Sequence, residues 1–199
     1  MTGRDPVTLD FYAAEAQAYA GRSRAAEHAR IAAFAAALPA GGSVLELGCG
    51  GGQDSEALLA RGFAVTPTDG SPELASQAAR RLGRPVEVLL FEDLDESDAF
   101  DGVWANACLL HVPRQALSAI IGKVQAALKP SGVFYASFKA GTAEGRDRFG
   151  RYYNYPSSDW LHGAYGADCW RKLDIDEDMG GGYDGEPTRW LHVLAFKMP

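Results

Sequence analysis

Gly48, Gly50 and Gly52 stand at a spacing suited to binding chemistry. They follow the short run 44–47 and precede Ser55-Glu56-Ala57-Leu58-Leu59-Ala60, which has helical spacing. A strand, a glycine turn and a helix start make a ligand cradle. Glycine lets the backbone turn tightly and approach a ligand, and the first helical turn offers unpaired N–H groups to an anion. In a parallel sheet this place lies at the carboxyl end of a strand, where such folds bind ligands. The plainer reading is a tight strand–helix turn with no ligand. Asp69 stands 17 positions beyond Gly52, at the end of a second apolar run. That is close to the roughly 20 residues expected for a ribose-binding acid, whose carboxylate accepts from adjacent hydroxyls. Asp69-Gly70-Ser71-Pro72 is also a turn and helix cap, and the two roles are compatible. His111 is the candidate general base, set against the plainer reading of a hydrogen-bonded structural histidine.

These residues need elements to hold them. Residues 7–22 are alanine-rich with Phe11, Tyr12 and Tyr19, and predict a helix stopped at Gly21. A second helix is expected from about Ser23 to Leu38. Strands are expected at 44–47, 63–68, 86–90, 100–106 and 133–138, with helices over 53–61, 72–82 and 113–128 between them. Pro113 suits a first helical turn. Alternation of strands and helices implies a doubly wound parallel sheet. Further strands are expected at 169–175 and 190–196, separated by a flexible glycine loop over 180–185.

Glu46 completes E-x-G-x-G-x-G, which resembles motif I of the class I S-adenosylmethionine-dependent methyltransferases. The segment Phe100-Asp101-Gly102-Val103 leading to Leu110-His111, and Leu128-Lys129-Pro130-Ser131-Gly132 before an apolar strand, match the same family in order. The resemblance covers residues 44–138 and is closest to small-molecule types, including uncharacterised and tellurite-resistance-related methyltransferases. It implies a Rossmann-like α/β fold: a seven-stranded sheet, mostly parallel with an antiparallel last strand, and helices on both faces. It also implies S-adenosylmethionine as cofactor and an in-line displacement of its methyl group by a nucleophile. The cofactor-facing set it implies is Tyr19, Glu46, Gly48, Cys49, Gly50, Gly52, Asp69, Gly70, Ser71, Glu92, Asp93 and Asn106. Within that set Glu92, with Asp93 beside it, stands where the family places an acid against the adenine amino group, and Tyr19 is a lid candidate near the methionine end. Phe91 either covers the adenine ring or belongs to the core, and the N-terminal tyrosines either cap the cofactor or pack on the sheet.

The segment 139–156 is basic and aromatic in an otherwise acidic chain. Lys139, Arg146, Arg151 and Tyr153 are its substrate candidates, because arginine pairs with carboxylates or phosphates and tyrosine stacks while offering a hydroxyl. The competing readings are a surface loop with Glu144 and Asp147 paired to the arginines, and a contact with nucleic acid. The net charge of −7 disfavours broad nucleic-acid or anionic-membrane binding. At 199 residues the chain is expected to form one domain, with 1–42 as a helical lid and 139–156 overhanging the crevice. Cys49, Cys108 and Cys169 have no metal-ligand spacing, so no metal is expected, and a cytoplasmic setting is. The partner is expected to be a small molecule, with no membrane span. Two rivals stand beside the enzyme reading: a non-catalytic S-adenosylmethionine-binding protein, and a nicotinamide-dependent oxidoreductase, against which the missing G-x-G-x-x-G counts.

Overall fold

The computed structural model describes residues 3–22 and 28–199. Seven strands form one sheet: β1 (Ser43–Glu46), β2 (Ala64–Asp69), β3 (Glu87–Val88), β4 (Phe100–Ala105), β5 (Leu128–Lys139), β8 (Trp170–Gly181) and β9 (Pro187–Lys197). Their order is β3-β2-β1-β4-β5-β9-β8. The pairs from β3 to β5 are parallel; β9 runs antiparallel to both β5 and β8. The sheet is therefore the expected one, with β9 as its reversed strand. Between β5 and β8 a small hairpin is made by β6 (Gly145–Arg146) and β7 (Tyr152–Tyr153). The helices are α1 (Pro6–Ala14), α2 (Ala16–Gly21), α3 (His28–Ala36), α4 (Gln53–Leu59), α5 (Pro72–Leu82), α6 (Arg114–Ala127) and α7 (Ser158–Tyr165).

Alternation along the strands sends successive side chains to opposite faces. Val44, Trp104, Val133 and Tyr135 join Ile31 and Phe34 of α3 and Leu58 of α4 in one buried cluster. Leu45, Val103, Ala105 and Phe134 join Leu117, Ile121 and Val124 of α6 and Leu161 of α7 in another. On α1 and α2, Tyr12, Ala16, Tyr19 and Ala20 pack with Leu74 of α5. The strand order reverses about β1, with β2 on one side and β4 on the other, so a crevice opens beyond the carboxyl ends of β1 and β4.

The structure departs from the sequence reading in several places, among them the expected strand over 86–90, which pairs only at Glu87 and Val88. The expected helix over 7–22 is two helices that break at Glu15, whose carboxylate accepts a hydrogen bond from the Tyr183 hydroxyl at 3.3 Å. The second helix is described from His28; its expected start at Ser23 lies outside the described residues. The expected glycine loop is partly strand: Gly180 and Gly181 pair with Thr188 and Pro187, since ladder bonds need no side chain. Cys169 belongs to a 3-10 turn rather than to β8.

Gly102 in β4 sits under α3, where an added Cβ would lie 2.6 Å from the Phe34 ring. Phe34 is fully buried and meets the Trp104 ring edge-on at 5.2 Å. Gly102→Ala is expected to cost about 1–3 kcal/mol through overpacking, read as a lower urea midpoint with an unchanged slope. An undiminished midpoint would mean that α3 yields freely.

Candidate functional site

Beyond β1 the chain is held in a narrow loop. Leu47 N–H donates to the Trp104 carbonyl at 2.9 Å and Cys49 N–H to the Thr68 carbonyl at 2.8 Å. Gly48 has φ +64°, and a Cβ there would fall 2.5 Å from the Cys108 Cβ, so both conformation and space require glycine. Gly52, at φ +82°, is the residue before α4. The Asp69 carboxylate closes the loop: Oδ2 accepts from Gly50 N–H at 2.8 Å and Oδ1 from Ser71 N–H at 2.9 Å. Burial pushes this carboxyl up to about 6, against the opposite pull of the two backbone donors. Glu46 turns its carboxylate to the Ser55 hydroxyl at the start of α4, and its carbonyl accepts from Thr68 Oγ1 at 2.8 Å.

A cleft opens over this loop, lined by Gly48, Gly50, Asp69, Gly70, Leu89, Leu90, Phe91 and Cys108, with Asp5, Thr8, Leu9, Tyr12 and Tyr19 from the N-terminal helices above. Burial raises the Cys108 and Cys49 thiols, so neither is a nucleophile at neutral pH. Glu92 and Asp93 lie in a 3-10 turn outside the lining. Glu92 Oε2 is nevertheless buried without a hydrogen-bond partner, with Arg4 Nε 3.6 Å from the other oxygen.

A second cavity of about 420 Å³ adjoins the first, a size suited to a small molecule. Ser137 and Lys139 of β5 and Trp190 and His192 of β9, opposite each other in register, belong to one sheet face and line it. Tyr12, Tyr19, Arg151, Tyr153 and Tyr183 close it from other elements. The two cavities share Tyr12, Tyr19, Ala107 and His111. Ala107 is in the left-handed region at φ +53°, an unfavourable place for a residue with a Cβ. Its N–H donates to Ser137 Oγ at 2.8 Å, Ser137 donates to Asn106 Oδ1 at 2.7 Å, and Asn106 Nδ2 donates to Asp54 at 2.8 Å. Asn106 thus fixes the loop after β4 and also faces the second cavity.

His111 is held through both ring nitrogens. Nδ1 lies 2.6 Å from the Tyr152 carbonyl, which can only accept, so the proton sits on Nδ1. Nε2 then accepts from the Tyr12 hydroxyl at 2.9 Å. That hydroxyl in turn accepts from Arg151 Nη1 at 3.1 Å, and Arg151 pairs with Asp147 at 2.7 Å. Burial lowers His111 to about 3, with the Arg151 and Lys139 charges acting in the same direction, while burial drives the Tyr12 phenol well above its ordinary range. Both groups are uncharged at neutral pH. His111 is therefore a hydrogen-bonding group of low basicity at the junction. In ¹⁵N-resolved imidazole spectra its ring should remain the neutral Nδ1–H form from pH 8 to pH 5. Protonation in that window would refute the assignment.

Of the sequence candidates, Tyr19, Gly48, Gly50, Asp69 and Gly70 line the cleft, and Tyr19, Asn106, His111, Lys139, Arg151 and Tyr153 line the second cavity. Glu46, Cys49, Gly52, Ser71, Glu92, Asp93 and Arg146 line neither. Ser71 caps α5, its Oγ accepting from Leu74 N–H at 3.3 Å. Arg146 is exposed and grips Asp5 through two bonds of 2.7 and 3.0 Å, bolting the hairpin to α1. Tyr12 enters the sequence reading only as one of the N-terminal tyrosines, Tyr183 only within the glycine loop, and His192 only within an expected strand. Tyr12 carries no motif, whereas the period-two alternation of Trp190, His192 and Leu194 was enough to place His192 on one face of a strand.

Comparison with known proteins gives a consistent result. Residues 44–132 match a family described as a methyltransferase domain. The chain is 39% identical over 107 residues to a ubiquinone biosynthesis O-methyltransferase of Paramagnetospirillum magneticum, and 39% over 106 residues to one of Xanthomonas axonopodis. These matches take in 51% and 50% of this chain but only 42% and 44% of those proteins, so the chain spans less than half the length of these relatives. In fold it is similar to the Burkholderia thailandensis 1,6-didemethyltoxoflavin-N1-methyltransferase, solved with 1,6-didemethyltoxoflavin and S-adenosylhomocysteine: TM-score 0.76, 24% identity, 97% of this chain and 88% of that one. It is also similar to the CcbJ methyltransferase of Streptomyces caelestis, with TM-score 0.73, 17% identity, and coverage of 98% and 100%. Among the described residues no helix is long and apolar enough to cross a membrane.

Proposed function

We propose that this chain is a class I S-adenosylmethionine-dependent methyltransferase that methylates a hydroxyl of a small aromatic acceptor, a reading supported by the methyltransferase-domain match over residues 44–132. The observation that carries this reading is the meeting of two cavities at one junction of four residues, Tyr12, Tyr19, Ala107 and His111. The cleft residues suit the cofactor. Gly48 and Gly50 line it without side chains, the buried Asp69 carboxylate has lone pairs left for ribose hydroxyls, and Leu89, Leu90 and Phe91 offer apolar surface to a flat base. The orphaned Glu92 oxygen lies at the end of that apolar strip. When bound, S-adenosylmethionine supplies the methyl group and a good leaving group.

What remains for the protein is alignment and exclusion of water. Neutral His111 and the Tyr12 phenol fix the junction without taking a proton. A base is needed only if the acceptor must lose its proton during attack, and this reading places no such duty on His111. The choice of oxygen rests on the ubiquinone-biosynthesis relatives being O-methyltransferases, and the choice of an aromatic acceptor on the Tyr153 and Trp190 rings along the cavity wall.

The test is calorimetric titration with S-adenosylhomocysteine, with NAD alongside. Wild type should bind the first and not the second, and Asp69→Ala should weaken binding at least about tenfold through loss of charge-assisted hydrogen bonds. No binding of the homocysteine compound, or binding of NAD instead, would sink the reading.

Binding should also depend on pH. The ribose hydroxyls donate to an ionised carboxylate, and Asp69 holds its proton up to about pH 6. Affinity should therefore be highest above pH 7 and fall as pH drops through 6, approaching about 1.4 kcal/mol per unit below it. A flat profile between pH 5 and 8 would show that the Asp69 charge is not used.

A further inference from the structure

The Lys139 ammonium is a sparingly paired charge in the second cavity. It is buried, 5% exposed, at the end of β5. Among the described residues its one hydrogen-bond acceptor is Asp184 Oδ2 at 3.4 Å, at the long end of such contacts. The Tyr153 ring centre lies 4.9 Å from Nζ and shares in holding the charge. An ammonium has three donors, so two are unspent, a costly state for a buried cation.

Two neighbouring charges, Arg151 and Asp178, are provided for. Arg151 is bonded to Asp147 and Tyr12, and Asp178 to Arg30 and His192. A second cation on the same cavity, Arg22, stacks on the Tyr19 ring at 3.9 Å, and its buried Nε has no hydrogen-bond partner. Asp184 reaches Lys139 from the turn 182–186 that joins β8 to β9. Gly182 makes that approach possible: a Cβ there would lie 2.9 Å from Lys139 Nζ and 2.7 Å from Asp184 Oδ1.

We propose that the acceptor carries a carboxylate on its aromatic ring, that Lys139 binds this carboxylate, and that Asp184 is an internal stand-in which the acceptor displaces. This rests on the second cavity being the acceptor site. The spare donors of Lys139 supply charge-assisted bonds, and the Trp190 ring on the same cavity supplies aromatic surface beside them.

The proposal is tested by titrating protein already saturated with S-adenosylhomocysteine. The probes are 3,4-dihydroxybenzoate and 3,4-dihydroxybenzamide, which share a ring and differ in the charge. The acid should bind at least about tenfold more tightly than the amide. Lys139→Gln should bring that ratio towards one. Asp184→Asn, on a turn rather than in the core, should raise affinity for the acid by freeing the ammonium. Equal affinities, binding of neither probe, a preference that survives Lys139→Gln, or weaker acid binding in Asp184→Asn would each overturn the proposal. Saturation with S-adenosylhomocysteine is measured first in every variant, so these failures leave the cofactor reading standing and its own failure is seen separately.

Discussion

The structure depends most on the Asp69 carboxylate, a buried acid that ties the end of β2 to the glycine turn after β1. A carboxylate taken out of water needs donors, and here they are two backbone N–H groups, from Gly50 and Ser71. Those bonds hold the turn open as a cradle and set the start of α5 at the same time. The group is not fully compensated, as its preference for a proton up to about pH 6 shows. A site that leaves a carboxylate short of partners is one that favours hydroxyl donors from a ligand.

Around that anchor the N-terminal helices and the hairpin close on one another. Asp5 caps α1 through Thr8 N–H and also receives Arg146; Thr8 Oγ1 accepts from Tyr152 N–H; Tyr12 joins His111 to Arg151. Phe11, Phe149 and Tyr183 ring Arg151 with centroids 4.8 to 5.5 Å away. Three segments distant in sequence thus share one buried cation. Removing a single partner from such a network leaves others unpaired, which makes the roof cooperative. Its position over the junction explains why a basic, aromatic segment is useful in an acidic chain: several of its charges face inward and are spent within the fold.

Much of this was legible in the residues themselves. Glycines at alternate positions, an acid at the end of the second strand and regular alternation of apolar runs fix local geometry, because each acts through its own backbone or its nearest neighbours. Gly48, Gly50 and Asp69 were therefore found as a set. Glu46 belongs to the glycine motif and Ser71 to the turn after Asp69, yet the structure turns both to support the loop from outside the cavities. Sequence spacing shows that a residue belongs to a turn, not which side of it faces the ligand.

What the sequence by itself determined was the alternation of strands and helices and the glycine cradle, both consequences of short-range pattern; the reversed final strand followed from the family resemblance. Only the tertiary structure decided the chemistry of the second cavity. Lys139, Arg146 and Arg151 look alike in a basic stretch, but Arg146 is spent on Asp5, Arg151 on Asp147 and Tyr12, and Lys139 keeps donors free. His111 likewise reads as a base until burial and two hydrogen bonds make it neutral. Protonation and pairing depend on groups that come together from across the chain, and no local pattern encodes those distances.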